Sequence, residues 1–283
     1  MKVATEGLTL LSPAKLNLFL HILGRRPDGY HELQTVFQLL DYGDTLTFTL
    51  RSDQQICIKP EIKGVSHQDN IIFKAATALQ AHTTQARGID ILLDKCIPMG
   101  GGLGGGSSNA ATTLLALNQL WGLGLSIEAL CAIGLNLGAD IPVFIKGRSS
   151  WAEGIGENLS PLELPERWFL VIKPDCHVST ANIFSCEELT RDTPAITVAA
   201  FFEQGGRNDC EFTVSRRYPE VKQALNWLNR YSTAQLTGTG ACIFASFDTE
   251  ASARTVLGEV PSQWECFIAK GINYSSCKVG APK

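Results

Sequence analysis

Between residues 98 and 109 the chain reads Pro98-Met99-Gly100-Gly101-Gly102-Leu103-Gly104-Gly105-Gly106-Ser107-Ser108-Asn109, with six glycines in seven consecutive positions. Glycine loses more backbone freedom on folding than any other residue, so such a run is a stability liability. It is useful where the backbone must take positive φ or approach a ligand closely. The residues that follow have a helical pattern: Ala110, Ala111, Leu114, Leu115, Leu117, Leu120 and Trp121 recur at helical spacing. The first N–H groups of a helix have no intrahelical acceptor, and its dipole is positive at that end, so an anion is favoured there. Ser107 and Ser108 are expected to cap this helix and to offer hydroxyl donors. A flexible linker would not lead straight into such a helix, so the run predicts a phosphate cradle. No Gly-Lys-Ser or Gly-Lys-Thr ends it, which excludes a Walker A loop. A match to the dinucleotide pattern G-x-G-x-x-G is accidental in so many glycines.

The remaining composition bounds the function class. The chain has 283 residues, 45% hydrophobic and 18% charged, enough for one large core or two modest ones. The formal net charge of −4 gives no global basic field for nucleic acid, so local cations or backbone amides must meet any phosphate. No apolar run reaches the roughly 20 residues of a membrane span. Met1 to Leu11 lacks the basic-then-apolar pattern of a secretion signal, so a cytoplasmic location is expected. The nine cysteines are odd in number and scattered, with no C-x-x-C pair; they are expected to be reduced and packed as small hydrophobes.

The coarse pattern alternates strands and helices. Leu16–Leu23, Thr45–Leu50, Ile89–Leu93, Trp168–Ile172, Ala241–Phe247 and Trp264–Ala269 read as strands. Asn70 is a candidate N-cap for a helix over Ile71–Ala81, and Ser126 for one that Gly138 would end. Pro219–Tyr231 and Thr249–Leu257 read as further helices. The stretch Ser160–Arg167 carries prolines and charges and is the candidate domain boundary. Clustered helices with mostly antiparallel strands predict an α+β chain of two domains, 1–160 and 161–283.

Gly100–Asn109 resembles the phosphate-binding motif of the GHMP kinase superfamily. Ser12-Pro13-Ala14-Lys15-Leu16-Asn17-Leu18 is similar to that superfamily's first motif, and Leu236-Thr237-Gly238-Thr239-Gly240-Ala241-Cys242 to its C-terminal glycine motif. Arg26-Pro27-Asp28-Gly29-Tyr30-His31-Glu32-Leu33 and Gly138-Ala139-Asp140-Ile141-Pro142-Val143-Phe144 resemble one branch, whose substrate is a cytidine diphosphate derivative. The resemblance implies an N-terminal domain like the second domain of ribosomal protein S5 and a ferredoxin-like C-terminal domain, with the substrate cleft between them. It also implies ATP, with Mg2+ carried on the nucleotide, and a small-molecule alcohol acceptor. Neither nucleic acid nor membrane is an expected partner, and monomer and homodimer both stay open. Homoserine or mevalonate kinases share the glycine loop but would not need the segment Asp28-Gly29-Tyr30-His31. A non-catalytic nucleotide sensor on the same fold would not need Lys15 and Asp140.

Phosphoryl transfer needs positioning, charge neutralisation and a base for the attacking hydroxyl. Asp140 is the candidate base and Lys15 its partner, since a lysine leading into an apolar strand costs desolvation unless it meets a negative charge. On the nucleotide side the loop residues Pro98 to Ser108 are joined by Asn70 and Lys95, which the resemblance places near adenine. Gly238-Thr239-Gly240 is expected to close over the transferred phosphate from the other domain. Tyr30 and Phe184 are expected to sandwich the cytosine, with His31 reading its edge and Asn17, Phe37 and Thr180 completing the substrate site. Arg25-Arg26 is expected to be a solvated pair, and no residue stands out as a metal ligand.

Overall fold

A computed structural model describes residues 7–83 and 87–277. Two long strands, β1 (Leu8–Arg25) and β2 (His31–Leu50), form an antiparallel hairpin. Next come β3 (Ile56–Lys59), α1 (Ile71–Gln80), β4 (Ile89–Asp94), α2 (Gly105–Leu120), α3 (Ile127–Leu135), α4 (Ile141–Lys146), β5 (Ser150–Gly154) and β6 (Asn158–Pro161). The second half holds β7 (Trp168–Lys173), α5 (Thr180–Phe184), α6 (Val198–Gln204), α7 (Cys210–Arg217) and α8 (Pro219–Leu228). It ends with β8 (Ala234–Leu236), β9 (Ile243–Phe247), α9 (Glu250–Leu257) and β10 (Glu265–Ile272).

The strands pair in the order β3-β4-β2-β10-β7-β9-β8, with β1 and β5 also on β2 and β6 on β5. Among these pairs only β3 with β4 is parallel. β10 joins the halves: Gly271 and Ile272 pair with Leu40 and Leu39 of β2, while Glu265–Lys270 pairs along β7. The α+β architecture read from the sequence is the one observed.

Burial explains the layers. Phe37, Leu46, Phe48, Ile89 and Ile91 from the sheet pack with Ile72, Leu79, Leu114 and Leu117 from α1 and α2. A second core unites Leu170, Ile172 and Ile243 with Val221, Leu225 and Ala253 of α8 and α9, and takes in Leu20 and Ile22 of β1. A third, with Ala14, Leu16, Ile97, Leu103, Phe169, Val171 and Cys242, lies beneath the glycine run and draws on both halves. The stretch Ser160–Arg167 connects β6 to β7, but β1 and β10 cross between the halves on either side of it.

Several local expectations need correction. α2 begins at Gly105, inside the glycine run, with Gly104 as N-cap at φ +71°; neither serine caps it. A left-handed residue is what lets the chain turn into the helix there, and glycine takes it without Cβ strain. From Ser108 to Leu117 the helix is buried all round, so it is a central rather than a surface helix. α3 ends at Leu135, with Asn136 as its C-cap, and Gly138 follows as a turn whose N–H still reaches the Gly134 carbonyl at 3.0 Å. Asn70 and Ser126 cap α1 and α3 as expected, accepting from the N–H groups of Ile72 and Ala129. All nine cysteines are free thiols.

Candidate active site

The site is built where β1 passes under the glycine run. Register shifts between Pro13 and Lys15 and between Asn17 and Leu20 mark bulges in β1. Bulges detach the strand locally from its partner and re-aim its side chains. The Lys15 N–H turns to the Leu103 carbonyl at 3.0 Å, tying the strand to the glycine run. Lys15 and Asn17, two apart on the strand, present their side chains to the same face. The Lys15 Nζ donates to Asn17 Oδ1 at 2.6 Å and to the Gly102 carbonyl at 3.0 Å, and lies 3.3 Å from Asp140 Oδ2.

Lys15 is 3% exposed and Asp140 is 34% exposed. Burying an ammonium costs several kcal/mol, and one carboxylate with two polar oxygens offsets that cost. Asp140 stands at the N-terminal end of α4 but makes no capping bond, so its carboxylate is free to accept another proton donor. The Phe37 ring lies beneath Lys15, with Nζ 5.3 Å from its centroid.

Two cavities meet at this point. One, of about 430 Å3, is lined by Lys15, Asn17, Tyr30, His31, Phe37, Asp140, Thr180 and Phe184. The other, of about 420 Å3, is lined by Asn70, Lys95 and the run from Pro98 to Ser107. They share Gly102, Gly104 and Ser107. At this junction α2 opens with no side-chain cap, leaving its first N–H groups for a ligand.

The second glycine motif lies against the first. Ala241 N–H donates to the Gly100 carbonyl at 3.2 Å and Cys242 N–H to that of Gly101 at 3.1 Å. A Cβ on Gly102 would stand 2.2 Å from the Thr237 carbonyl oxygen, so only glycine permits this approach. Thr239 and Thr180 share a hydroxyl hydrogen bond of 2.9 Å at the rim of the first cavity.

Other expected residues sit differently from the sequence reading. Ser108 turns inward, 0% exposed, where its Oγ accepts a bond of 2.8 Å from the hydroxyl of Ser12; only Ser107 faces the cavities. The early helix start is the reason, because successive helical residues point about 100° apart. Leu103 is 1% exposed and gives its side chain to the core. Asn17 lines the first cavity, but its side chain is engaged with Lys15 and with Thr35, to whose Oγ1 its Nδ2 donates at 2.9 Å. Phe184 stacks on His31, ring centroids 4.9 Å apart and 26° from parallel, while Tyr30 is 59% exposed at the mouth. Arg26 pairs with Asp28 and Glu32 at the surface, as a solvated residue does.

Sequence reasoning missed Asp44. It is 0% exposed and accepts from Lys95 Nζ at 2.8 Å, Cys96 N–H at 2.8 Å, Ile97 N–H at 2.7 Å and Asn109 Nδ2 at 2.9 Å. One carboxylate thus holds both ends of the glycine run, and Lys95 is an ion-paired residue rather than a loose surface charge. The string Gly43-Asp44-Thr45 carries no local signal of this role.

The chain matches two family models, GHMP kinases N terminal domain over residues 70–148 and GHMP kinases C terminal over 195–266. It is 56% identical over 281 residues to the 4-diphosphocytidyl-2-C-methyl-D-erythritol kinase of Hahella chejuensis, with 95% of each chain covered. A crystal structure of 4-(cytidine 5'-diphospho)-2C-methyl-D-erythritol kinase superposes with a TM-score of 0.83 at 31% identity, covering 93% of this chain and 98% of the other. The Methanococcus jannaschii mevalonate kinase shares the fold, with a TM-score of 0.67 at 15% identity, covering 96% of this chain and 100% of its own. With its glycine run, its Lys15–Asp140 pair and full-length relatives at this identity, the chain belongs to the 4-diphosphocytidyl-2-C-methyl-D-erythritol kinases of the GHMP kinase family.

Proposed function

We infer that the chain transfers the γ-phosphoryl group of ATP to the 2-hydroxyl of 4-diphosphocytidyl-2-C-methyl-D-erythritol, a step in making isoprenoid precursors by the non-mevalonate route. The observation that carries this is the Lys15–Asp140 pair in the first cavity, with Lys15 bonded to Gly102, which both cavities share. ATP occupies the cavity of Asn70, Lys95 and the glycine run, with its phosphates on the amides that open α2. The cytidine diphosphate substrate occupies the other, its base between Tyr30 and Phe184 beside His31, with Thr180 and Thr239 at the rim. The acceptor hydroxyl then meets the γ-phosphate beside Asp140.

Asp140 takes the proton of the attacking hydroxyl as the new P–O bond forms and the bond from the γ-phosphorus to the bridging oxygen breaks, releasing ADP. Lys15 keeps that carboxylate oriented and, through Gly102, fixes it relative to the glycine run. The Lys15 charge also offsets negative charge on the transferred phosphoryl group. Asn17 and Phe37 hold Lys15 in place and shape the wall behind the acceptor. Mg2+ enters with the nucleotide. Magnesium usually keeps several waters and binds largely through substrate phosphates.

A cytoplasmic setting belongs to this function, since both substrates are water-soluble metabolites. Incubation with Mg-ATP and 4-diphosphocytidyl-2-C-methyl-D-erythritol tests it. ADP and a product gaining one phosphate at the 2-hydroxyl are expected. ADP formation with mevalonate or homoserine and none with the cytidine substrate would reverse the assignment.

A further inference from the structure

His31 is 7% exposed and lines the cavity assigned to the cytidine substrate. Its Nε2 is 3.1 Å from Nε of Arg191, which donates to it. A guanidinium has N–H donors and no acceptor. The imidazole nitrogen facing it must therefore be the unprotonated one, and the ring's hydrogen must sit on Nδ1. Among the described residues Nδ1 has no hydrogen-bond partner, and it is not among the side-chain atoms sealed inside the protein without one.

Arg191 is itself fixed. It donates to the carbonyls of Phe184, the last residue of α5, and of Cys186 and Leu189 beyond it, at 2.9, 2.5 and 3.0 Å, and the Phe184 ring stacks on the His31 ring. The same guanidinium therefore sets the chain after α5, the ring that covers His31, and the proton position of His31. Burial, with Arg191 and then Arg25 nearby, holds the imidazole below its ordinary range and so in the neutral form.

We propose that Arg191 is a specificity-determining positioning residue: by donating to Nε2 it locks His31 as the Nδ1–H tautomer, so that the pocket presents one fixed donor to the edge of the substrate base. A pyrimidine with an unprotonated ring nitrogen at position 3, such as cytosine, offers an acceptor to that donor. Uracil presents an N–H at the same place and meets it donor to donor. A site built around one committed hydrogen-bonding group rejects a mismatched analogue far more strongly than an apolar pocket rejects a change of size. This inference rests on the cytidine reading of the cavity.

Two measurements on the full-length protein test it. Two-bond 1H–15N correlation spectra of 15N-histidine-labelled, ligand-free protein should show His31 with Nδ1 protonated and Nε2 bare; His31→Asn identifies its signals. The reverse tautomer overturns the proposal, whatever the substrate is. In Arg191→Met the His31 signals should shift toward a mixture of tautomers, and the preference in kcat/KM for the cytidine over the uridine substrate should fall about tenfold or more. Arg191→Lys, which keeps a cationic donor, should recover part of that preference. A purely structural role would lower turnover with both substrates alike, and an unchanged preference in a folded Arg191→Met protein sinks the proposal. Failure of the wild type to act on the cytidine substrate would sink the cytidine reading instead and leave the tautomer result standing by itself.

Discussion

The ammonium of Lys15 stands 3.3 Å from Asp140 Oδ2 and 3.0 Å from the Gly102 carbonyl oxygen, so one buried cation links the carboxylate at the start of α4 to the glycine run. Replacing Asp140 by Asn keeps its shape but removes the proton acceptor. It should lower kcat by about 10²–10⁴-fold with little change in the KM for ATP. Lys15→Met should also lower kcat by orders of magnitude. Steady-state kinetics decide this, and near-normal kcat in both variants would remove the pair from the mechanism.

The close contact between the two glycine motifs can be tested against a control. Gly102 and Gly122 both have positive φ, +76° and +66°. A Cβ at Gly102 meets the Thr237 carbonyl at 2.2 Å, whereas one at Gly122 meets nothing within 4 Å. Gly122→Ala should therefore cost only the backbone strain of roughly 1–2 kcal/mol. Gly102→Ala should cost more, because the two loops must separate, and should also raise the KM for ATP. Thermal melts and ATP titration of both variants give the comparison; equal losses would mean that the contact contributes nothing.

Asp44 answers for the geometry of the ATP side. Its substitution by Ala removes the carboxylate that pairs with Lys95, whose Nζ keeps the Ile97 carbonyl at 2.7 Å, and leaves the N–H groups of Cys96 and Ile97 without their acceptor. Lys95 is 24% exposed, so the main loss is that of the buried donors left unsatisfied, roughly 1–3 kcal/mol. Urea unfolding should show a loss of that order in Asp44→Ala. The double variant Asp44→Ala with Lys95→Met should be less destabilised than the sum of the two single changes. Additive losses would show that the two residues do not interact.

How legible the molecule was depended on whether a signal was local. The caps at Asn70 and Ser126 and most of the strands follow from short patterns, and the Lys15 and Asp140 motifs are distinctive strings of neighbours. The helix start at Gly104 was not legible, because a glycine string does not reveal which member takes the left-handed turn. Ser108 does not face the phosphate site for the same reason, since it lies inside the first turn of the helix with its side chain turned to the core. Asp44 and Arg191 could not be found at all. Their partners lie 51 and 160 residues away at Lys95 and His31, and neither sits in a pattern that marks it.

Stability should also depend on pH through the buried histidines. His21 is 6% exposed with Nδ1 unpartnered, and burial is the main cause that holds it below the ordinary imidazole value of 6.5; Asp209 opposes the shift and Arg207 adds to it. His31 is lowered as well. A group with a depressed pKa binds fewer protons in the folded state than in the unfolded chain. Its contribution is present above the ordinary value and is lost as pH falls below it. Unfolding free energy from urea titrations should therefore decline from pH 7 to pH 5, and His21→Gln should flatten part of that slope. A variant with the wild-type slope would show that His21 titrates normally.

The crossing of β10 between β2 and β7 has a consequence for how the protein is made. Residues 265–272 carry the seam that locks the two halves together, and they leave the ribosome after nearly everything they bind. Until then β7, already paired with β9 on one side, has its other side bare. From the synthesis of β7 to that of β10 the nascent chain therefore carries an open strand edge, the kind of surface that invites pairing with another chain. A cleft whose walls come from both halves can close only once that last strand has docked.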